Sequence, residues 1–88
     1  MTTKAWNVQV RIDEQGDDTI ADAVLSLDNK MEVRGQGRSR RNPADESVHL
    51  IGDELATARA LSDLANELLH VVASDIESRT HVPASLQM

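Results

Sequence analysis

The period of the apolar residues changes once along this 88-residue chain, and that change restricts the fold more than any other feature. Up to about residue 39, apolar and polar side chains alternate, which is the pattern of half-buried β-strands. From about residue 53, apolar residues recur at spacings of three and four, which is the pattern of an amphipathic helix. The sequence therefore predicts strands first and one long helix afterwards.

Three alternating runs precede the helical segment. The second covers residues 19–27 and the third covers residues 31–39, with polar loops predicted at 14–18 and 28–30. Short loops of this kind join antiparallel neighbours, so we predict a three-stranded antiparallel meander. The first run places its apolar side chains on one face: Trp6, Val8, Val10 and Ile12.

The apolar pattern also predicts the register of the second hairpin. If residues 28–30 form the loop, Leu25 faces Val33, while Ala23 and Ala21 face Gly35 and Gly37. All apolar side chains of both strands then share one face, and a slip of one residue would turn one set into water. We therefore expect an odd-length loop between these strands.

The helix is predicted to begin near Asp53, with Gly52 or Asp53 as N-cap, and to end near residues 79–81 because Pro83 cannot continue it. A helix from residue 53 to residue 80 would be about 42 Å long. We expect its apolar stripe to pack on the sheet. That stripe comprises Leu55, Ala58, Leu61, Leu64, Ala65, Leu68, Leu69, Val72 and Ile76.

Composition indicates a thin core and a reducing compartment. The chain has one aromatic residue, Trp6, which we expect to be buried, and it has no cysteine. Small secreted domains usually carry disulfides, so we expect a soluble cytoplasmic protein, without a signal peptide or a membrane span. We expect one domain over residues 5–81, with tails at 1–4 and 82–88.

Two features favour a homodimer. The helix is longer than a nine-residue strand, which spans only about 30 Å, so its last turns overhang the sheet. The sheet also has two open edges. Pairing through strand edges and pairing by exchange of the helix both remain open at this point.

Positive charge is concentrated in residues 30–41, which carry five bases and one acid, for a local charge of +4. The whole chain has a net charge of −6, so the remainder carries −10. Such a segment could contact RNA phosphates. In the alternative interpretation Asp22 and Glu32 neutralise this strand as ordinary sheet pairs. The candidate RNA- or partner-binding residues are Arg34, Arg38, Arg40 and Arg41.

Several stretches closely resemble a short actinobacterial family of unknown function. They are residues 42–45, 51–55 and 58–65, together with 75–77 and 80–81. The resemblance covers residues 6–81 and implies a β-β-β-α fold like that of the double-stranded-RNA-binding domain, and a dimer. The family includes mycobacterial dormancy-associated proteins, and its fold has been compared with that of ribosome hibernation promoting factors. Fold alone does not carry function.

This chain departs from the RNA-binding relatives of that fold. It lacks their N-terminal helix, its predicted helix start at residues 52–54 is acidic, and Trp6 offers no exposed surface for stacking bases if it is buried. We therefore do not expect this chain to bind RNA in the way of the double-stranded-RNA-binding domain or of the hibernation promoting factors.

No catalytic or cofactor site is predicted. Gly35-Gln36-Gly37 lacks the third glycine and the following helix of a phosphate loop, and close approach of the helix explains it better. Glu67 and His70 have the spacing of two metal ligands, but a di-iron site needs further carboxylates. Ser62 and Asp63 point in different directions on a helix. We therefore expect no enzyme, cofactor or metal.

Two functions remain as hypotheses. The first is a small stress- or dormancy-type protein that associates with the ribosome or its RNA through the basic segment. The second is a homodimeric protein–protein interaction module without a nucleic-acid partner. The role of Asn42-Pro43-Ala44-Asp45, as a recognition site or as a rigid turn, is left open by the sequence.

Overall fold

The computed structural model describes residues 1–42 and 49–86, and its architecture is the predicted one. Three strands, β1 (Val8–Gln15), β2 (Asp18–Ser26) and β3 (Glu32–Arg40), precede one helix, α1 (His49–Thr80). The strands form one antiparallel sheet in the order β1-β2-β3. The predicted α+β, β-β-β-α fold is thus confirmed. The loop at Asn42-Pro43-Ala44-Asp45 falls mostly outside the described residues.

The β1–β2 hairpin is tighter than predicted. Gln15 already pairs with Asp18, so only Gly16 and Asp17 connect the strands. Gly16 has a φ of 62°, which places positive φ at the first central position, the arrangement of a type II′ turn. Because the turn has only two residues, Glu14, Gln15 and Asp18 of the predicted loop belong to the strands instead.

The β2–β3 register is confirmed residue by residue. Leu25 pairs with Val33, and Ala23 and Ala21 pair with Gly35 and Gly37. The amide of Leu27 donates to the carbonyl of Met31 at 2.8 Å, which closes a three-residue loop. Lys30 ends that loop at a φ of 64°, in the αL position common in three-residue hairpins.

The core is built from small residues where the helix crosses the sheet. Ala56 and Ala60 on α1 are fully buried, and they lie over Gly35 and Gly37 of β3. A Cβ placed on Gly37 would lie 2.2 Å from the carbonyl oxygen of Ala56. The helix backbone therefore rests directly on the strand, as predicted from the two glycines.

The predicted orientation of the helix was wrong. The side facing the sheet carries Ala56, Ala60 and Leu64, whereas Leu55 and Leu61 of the predicted stripe are 43% and 42% exposed. The physical reason is the short distance between helix and strand: at Gly35 and Gly37 the backbone of α1 lies against β3, which places Ala56, Ala60 and Leu64 towards the sheet and turns Leu55 and Leu61 away from it.

The predicted start of the helix was also wrong, because α1 begins at His49 rather than near Asp53. Gly52 lies inside the first turns, and its carbonyl accepts a hydrogen bond from the Ser39 hydroxyl at 2.8 Å. This contact with the end of β3 stabilises the first turn of α1, which the local sequence pattern does not predict. Gly52 and Asp53 are therefore not the N-cap.

The C-terminal end of the helix agrees with the prediction. The helix ends at Thr80, and the amide of His81 donates to the carbonyl of Glu77 at 2.7 Å. His81 has a φ of 59°, the αL conformation that commonly ends helices. The 32 residues of α1 span about 48 Å, so the helix extends beyond the sheet as expected.

Trp6 is 50% exposed, which contradicts its predicted burial. The helix packs over β3 and β2 and barely touches β1, because a helix about 10 Å wide covers roughly two strands spaced about 4.8 Å apart. The apolar face of β1 is left open, with Val8 and Ile12 exposed. The Trp6 indole N–H donates instead to the Asp28 carboxylate at 3.0 Å.

Among the described residues, no helix has the length and apolar character that crossing a membrane requires.

The close contact at the glycines yields a stability prediction. We expect Gly35→Ala to lower the free energy of unfolding by about 2–3 kcal/mol, because its Cβ would lie 2.2 Å from the amide nitrogen of Leu64. The control is Gln36→Ala at the neighbouring outward position, with an expected loss below about 1 kcal/mol. Urea unfolding of both variants provides the comparison. Equal stability of Gly35→Ala and wild type would contradict the packing described here.

Candidate interaction surfaces

The predicted basic residues occupy the outer face of the sheet and its end. Arg34, Arg38 and Arg40 alternate with buried residues of β3 and point away from the helix. Arg41 lies just past the strand, where its amide donates to the carbonyl of Asp17 at 2.8 Å. The structure therefore brings three of the four arginines into one row and directs the fourth towards the β1–β2 turn.

Carboxylates accompany most of this positive charge. Arg34 pairs with Glu32 at 2.8 Å. Arg40 lies 3.9 Å from Asp18.

The Arg41 guanidinium is held by Asp17, at 2.6 Å and 3.0 Å. Asp22 faces Gln36, and its carboxylate accepts a hydrogen bond from the Gln36 side-chain amide at 3.1 Å. Among the described residues it forms no ion pair with an arginine, so the expected neutralisation of β3 comes from Glu32 but not from Asp22. The outer face is thus a mixed-charge surface.

Arg38 differs from its neighbours, because among residues 1–42 and 49–86 it forms no ion pair. Its backbone carbonyl accepts a hydrogen bond from the Arg59 guanidinium at 2.7 Å. The amide of Gln36 donates to the Asp63 carboxylate at 2.8 Å. Two helix side chains therefore satisfy backbone groups on the free edge of β3, which makes that edge a poor template for another strand.

The described residues contain no group of three His, Cys, Asp or Glu side chains arranged so that it could hold a metal ion. Glu67 and His70 are both exposed on α1, and Asp63, predicted to stand beside Ser62 without a catalytic role, is engaged with the backbone of β3. These side chains do not converge on a common point.

One cluster of titratable groups joins the start of the helix to β1. The Glu14 carboxylate lies 3.3 Å from Nδ1 of His49, and it also approaches Asp53. A hydrogen bond with Asp53, partial burial and the Asp53 charge raise the pKa of Glu14, while His49 lowers it. Oδ1 of Asp53 is buried without a hydrogen-bond partner among the described residues, so a proton on Glu14 supplies a donor that this pair otherwise lacks.

An exposed apolar stripe runs along the side of α1 opposite the sheet. Its positions are spaced alternately by four and three residues, and at about 100° per residue they lie roughly opposite Ala60. We call this the outer stripe. It comprises Ile51, Leu55, Ala58, Ser62, Ala65, Leu69, Val72 and Ile76.

Sequence reasoning found most of these residues but placed them against the sheet. The signal that could have corrected this was the match between the small residues of β3 and the small pair Ala56 and Ala60, which are spaced by one helical turn. At Gly35 and Gly37 the helix backbone lies against the strand, and the alanine pair faces the sheet there.

Two leucines connect the outer stripe with the open face of β1. Arg59 and Asp63 hang over the free edge of β3, so the opposite flank of the helix, which carries Leu61 and Leu68, faces β1. Leu68 and Val10 both pack against the core, whereas Leu61 is exposed.

Comparison with known proteins shows the same fold and a common family. A family model described as Rv2632c-like matches residues 4–85. The uncharacterized protein Rv2632c of Mycobacterium tuberculosis is 50% identical over 82 residues, covering 93% of this chain and 87% of that protein. The uncharacterized protein Mb1767 of Mycobacterium bovis is 51% identical over 81 residues, covering 92% and 85%. The crystal structure of Rv2632c superposes with a TM-score of 0.84 at 48% identity, covering 94% of this chain and 98% of that one.

These findings confirm the resemblance to a small family of unknown function with mycobacterial members. The likeness to the double-stranded-RNA-binding domain and the association with dormancy stay predictions.

The Glu14 cluster yields a prediction of pH dependence. Because the folded-state pKa of Glu14 is raised, its stabilising contribution is present below its ordinary pKa and is lost as the pH rises through the folded pKa. Glu14→Gln mimics the protonated form at all pH values. We therefore expect the variant to melt at a slightly higher temperature than wild type at pH 7, and the difference to disappear near about pH 4.

Thermal unfolding across this pH range measures the effect. Glu67→Gln, at an exposed position on α1, serves as the control for loss of one carboxylate. If Glu14→Gln is less stable than wild type by the same amount at both pH values, the cluster does not titrate as described.

Proposed function

Since this chain belongs to the Rv2632c-like family, whose relatives compared above are uncharacterised, we propose a function from its surface: it is a non-enzymatic, self-associating protein-interaction module. The observation that carries this proposal is the outer stripe. We infer a cytoplasmic setting from the absence of cysteine.

The outer stripe has the composition of a buried surface. None of its eight positions carries a charged side chain, and Ile51 and Leu55 are 62% and 43% exposed. From residue 51 to residue 76 the stripe is about 38 Å long, and at a width of about 10 Å its projected area is on the order of 400 Å². Exposed apolar patches of this size on a small protein commonly mark interaction sites.

A second copy of this chain is the partner that best fits the stripe. A chain of this length buries only about 60% of its unfolded surface, and a core dominated by alanine and glycine adds little burial per residue. Two copies with a net charge of −6 each would repel one another over most of their surface, so the uncharged stripe is where they can approach most closely.

Other dimer arrangements have less support. Pairing through the edge of β3 would displace the hydrogen bonds that Asp63 and Arg59 make with it. Exchange of the helix between copies would replace one helix by an identical one and leave the same stripe in water. A dimer formed through the outer stripe removes the apolar side chains of the stripe from water, which is favourable.

Ribosome or ribosomal-RNA association, as part of a stress or dormancy role, is the second candidate function. The observation that favours it is Arg38, whose guanidinium forms no ion pair with the described residues, beside the long contact of Arg40 with Asp18 at 3.9 Å. Two weakly compensated charges supply little of the electrostatic affinity that RNA binding usually needs. We therefore rank this function below self-association.

Self-association is tested by the mass in solution. We expect the protein to sediment as a species of twice 9.7 kDa and Leu55→Glu/Val72→Glu to sediment as a folded monomer. Burying two unpaired charges in each copy should raise the dissociation constant at least about a hundredfold. The matched control is Asn66→Glu/Ser74→Glu, which adds the same charges elsewhere on α1 and should remain a dimer.

Circular dichroism of each variant verifies that the helix is retained. A wild-type protein that stays monomeric at all concentrations in analytical ultracentrifugation would overturn the proposed function.

Co-sedimentation with ribosomes separates the second candidate from the first. RNA binding through the sheet should weaken steeply as salt rises and should be lost in Arg38→Glu/Arg40→Glu, whereas self-association should persist in that variant and should not weaken with salt. If the wild-type protein stays in the supernatant at low and moderate salt, the ribosome hypothesis is excluded. Retention that depends on both arginines would establish it.

A further inference from the structure

The sizes of the side chains along the outer stripe read nearly the same in both directions. Large residues occupy both ends, and small residues occupy the third, fourth and fifth of the eight positions: Ala58, Ser62 and Ala65. When the stripe is reversed about its midpoint, position 51 faces 76, 55 faces 72, 58 faces 69 and 62 faces 65. Each large residue of the N-terminal half then meets a large one, and the two small residues nearest the midpoint meet each other.

We propose that two copies pair through their outer stripes with the α1 helices antiparallel, an inference that rests on the self-association proposed above. The small central residues let the two backbones approach closely at the midpoint, where the symmetry axis passes. The larger side chains fill the widening space towards both ends. This shape is what two straight helices crossing at a modest angle require.

The residues flanking the stripe favour the antiparallel arrangement over the parallel one. In an antiparallel pair, residues of the same flank meet across the interface, so Leu61 approaches Leu68 of the partner subunit. In a parallel pair, opposite flanks meet, and Leu61 would face Asn66 of the partner subunit instead. Only the antiparallel arrangement buries both flanking leucines against apolar neighbours.

The partner helix lies against the side of α1 opposite the sheet. It covers the outer stripe and reaches Leu61 on its flank, whereas Val8 and Ile12 lie on the sheet, on the far side of α1, and stay exposed in this arrangement. The overhanging turns of α1, which carry Val72 and Ile76, would rest against the N-terminal turns of the partner helix.

Two electrostatic interactions act on this pairing: charged side chains near the ends of the interface oppose it, and the dipoles of the two helices favour it. Glu54 would approach Asp75 of the partner subunit, and like charges repel. Antiparallel helix dipoles attract, whereas parallel dipoles do not. Since the repulsive charges are at the exposed rim, salt should screen them, and we expect the dimer to tighten severalfold as ionic strength rises.

Disulfide cross-linking tests the direction of pairing, because the natural chain contains no cysteine. In Leu55→Cys/Val72→Cys, antiparallel helices place each new thiol opposite its counterpart on the other copy. Within one copy the two thiols are about 26 Å apart along the helix, which prevents an internal disulfide. We expect this double variant to form a covalent dimer under mild oxidation.

The single variants Leu55→Cys and Val72→Cys are the matched controls. In the antiparallel arrangement identical positions lie far apart, so neither single variant should cross-link, whereas in a parallel pair both would. Non-reducing gel electrophoresis at a protein concentration where ultracentrifugation shows dimers gives the result.

The outcomes separate this inference from the proposed function. A dimer in which the single variants cross-link would overturn the antiparallel arrangement and leave self-association intact. A dimer in which no variant cross-links would show that the stripe is not the interface, which also overturns the inference. A monomer would instead remove the proposed function on which the inference rests.

Discussion

The contact between two glycines of β3 and the backbone of α1 determines most of this structure. Gly35 and Gly37 leave room for the helix to rest on the strand, and a Cβ at either position would collide with helix backbone atoms at 2.2 Å. Only a helix face made of small residues can approach so closely, and Ala56 and Ala60 provide it. The rotation of the helix about its own axis follows from this contact.

That rotation decides which apolar residues are core and which are surface. Once the alanines and Leu64 face the sheet, the large side chains of the outer stripe lie on the opposite side of the helix, where the described residues do not cover them. The helix also covers only two of the three strands, so β1 keeps an open apolar face. The proposed pairing of two copies through the outer stripe would bury apolar surface that a domain of this size does not bury by itself.

The charged residues have a more local role. The arginines of β3 are concentrated in the sequence, but the sheet places Glu32 beside Arg34 and Asp18 near Arg40, so the outer face has balanced charge. Glu32 belongs to the basic segment itself, and antiparallel pairing adds Asp18 from β2, which is distant in the sequence. A local charge count along the chain therefore overstates the positive potential of this segment.

The sequence by itself determined the element order, the β2–β3 register and the end of the helix. Each of these depends on nearby residues: the period-two pattern pairs Leu25 with Val33, and Pro83 follows the last helical turns. The candidate arginines could likewise be identified from the sequence. A carboxylate partner on another strand, such as Asp18 for Arg40, could be identified only from the β2–β3 register.

Only the tertiary structure decided which side of the helix is buried, where the helix begins and whether Trp6 is covered. These outcomes depend on the distance between helix and sheet and on the number of strands that one helix can span. An amphipathic pattern shows that an apolar stripe exists, but two apolar faces on one helix compete for the sheet. The closest packing at the glycines selects the face with the smaller side chains.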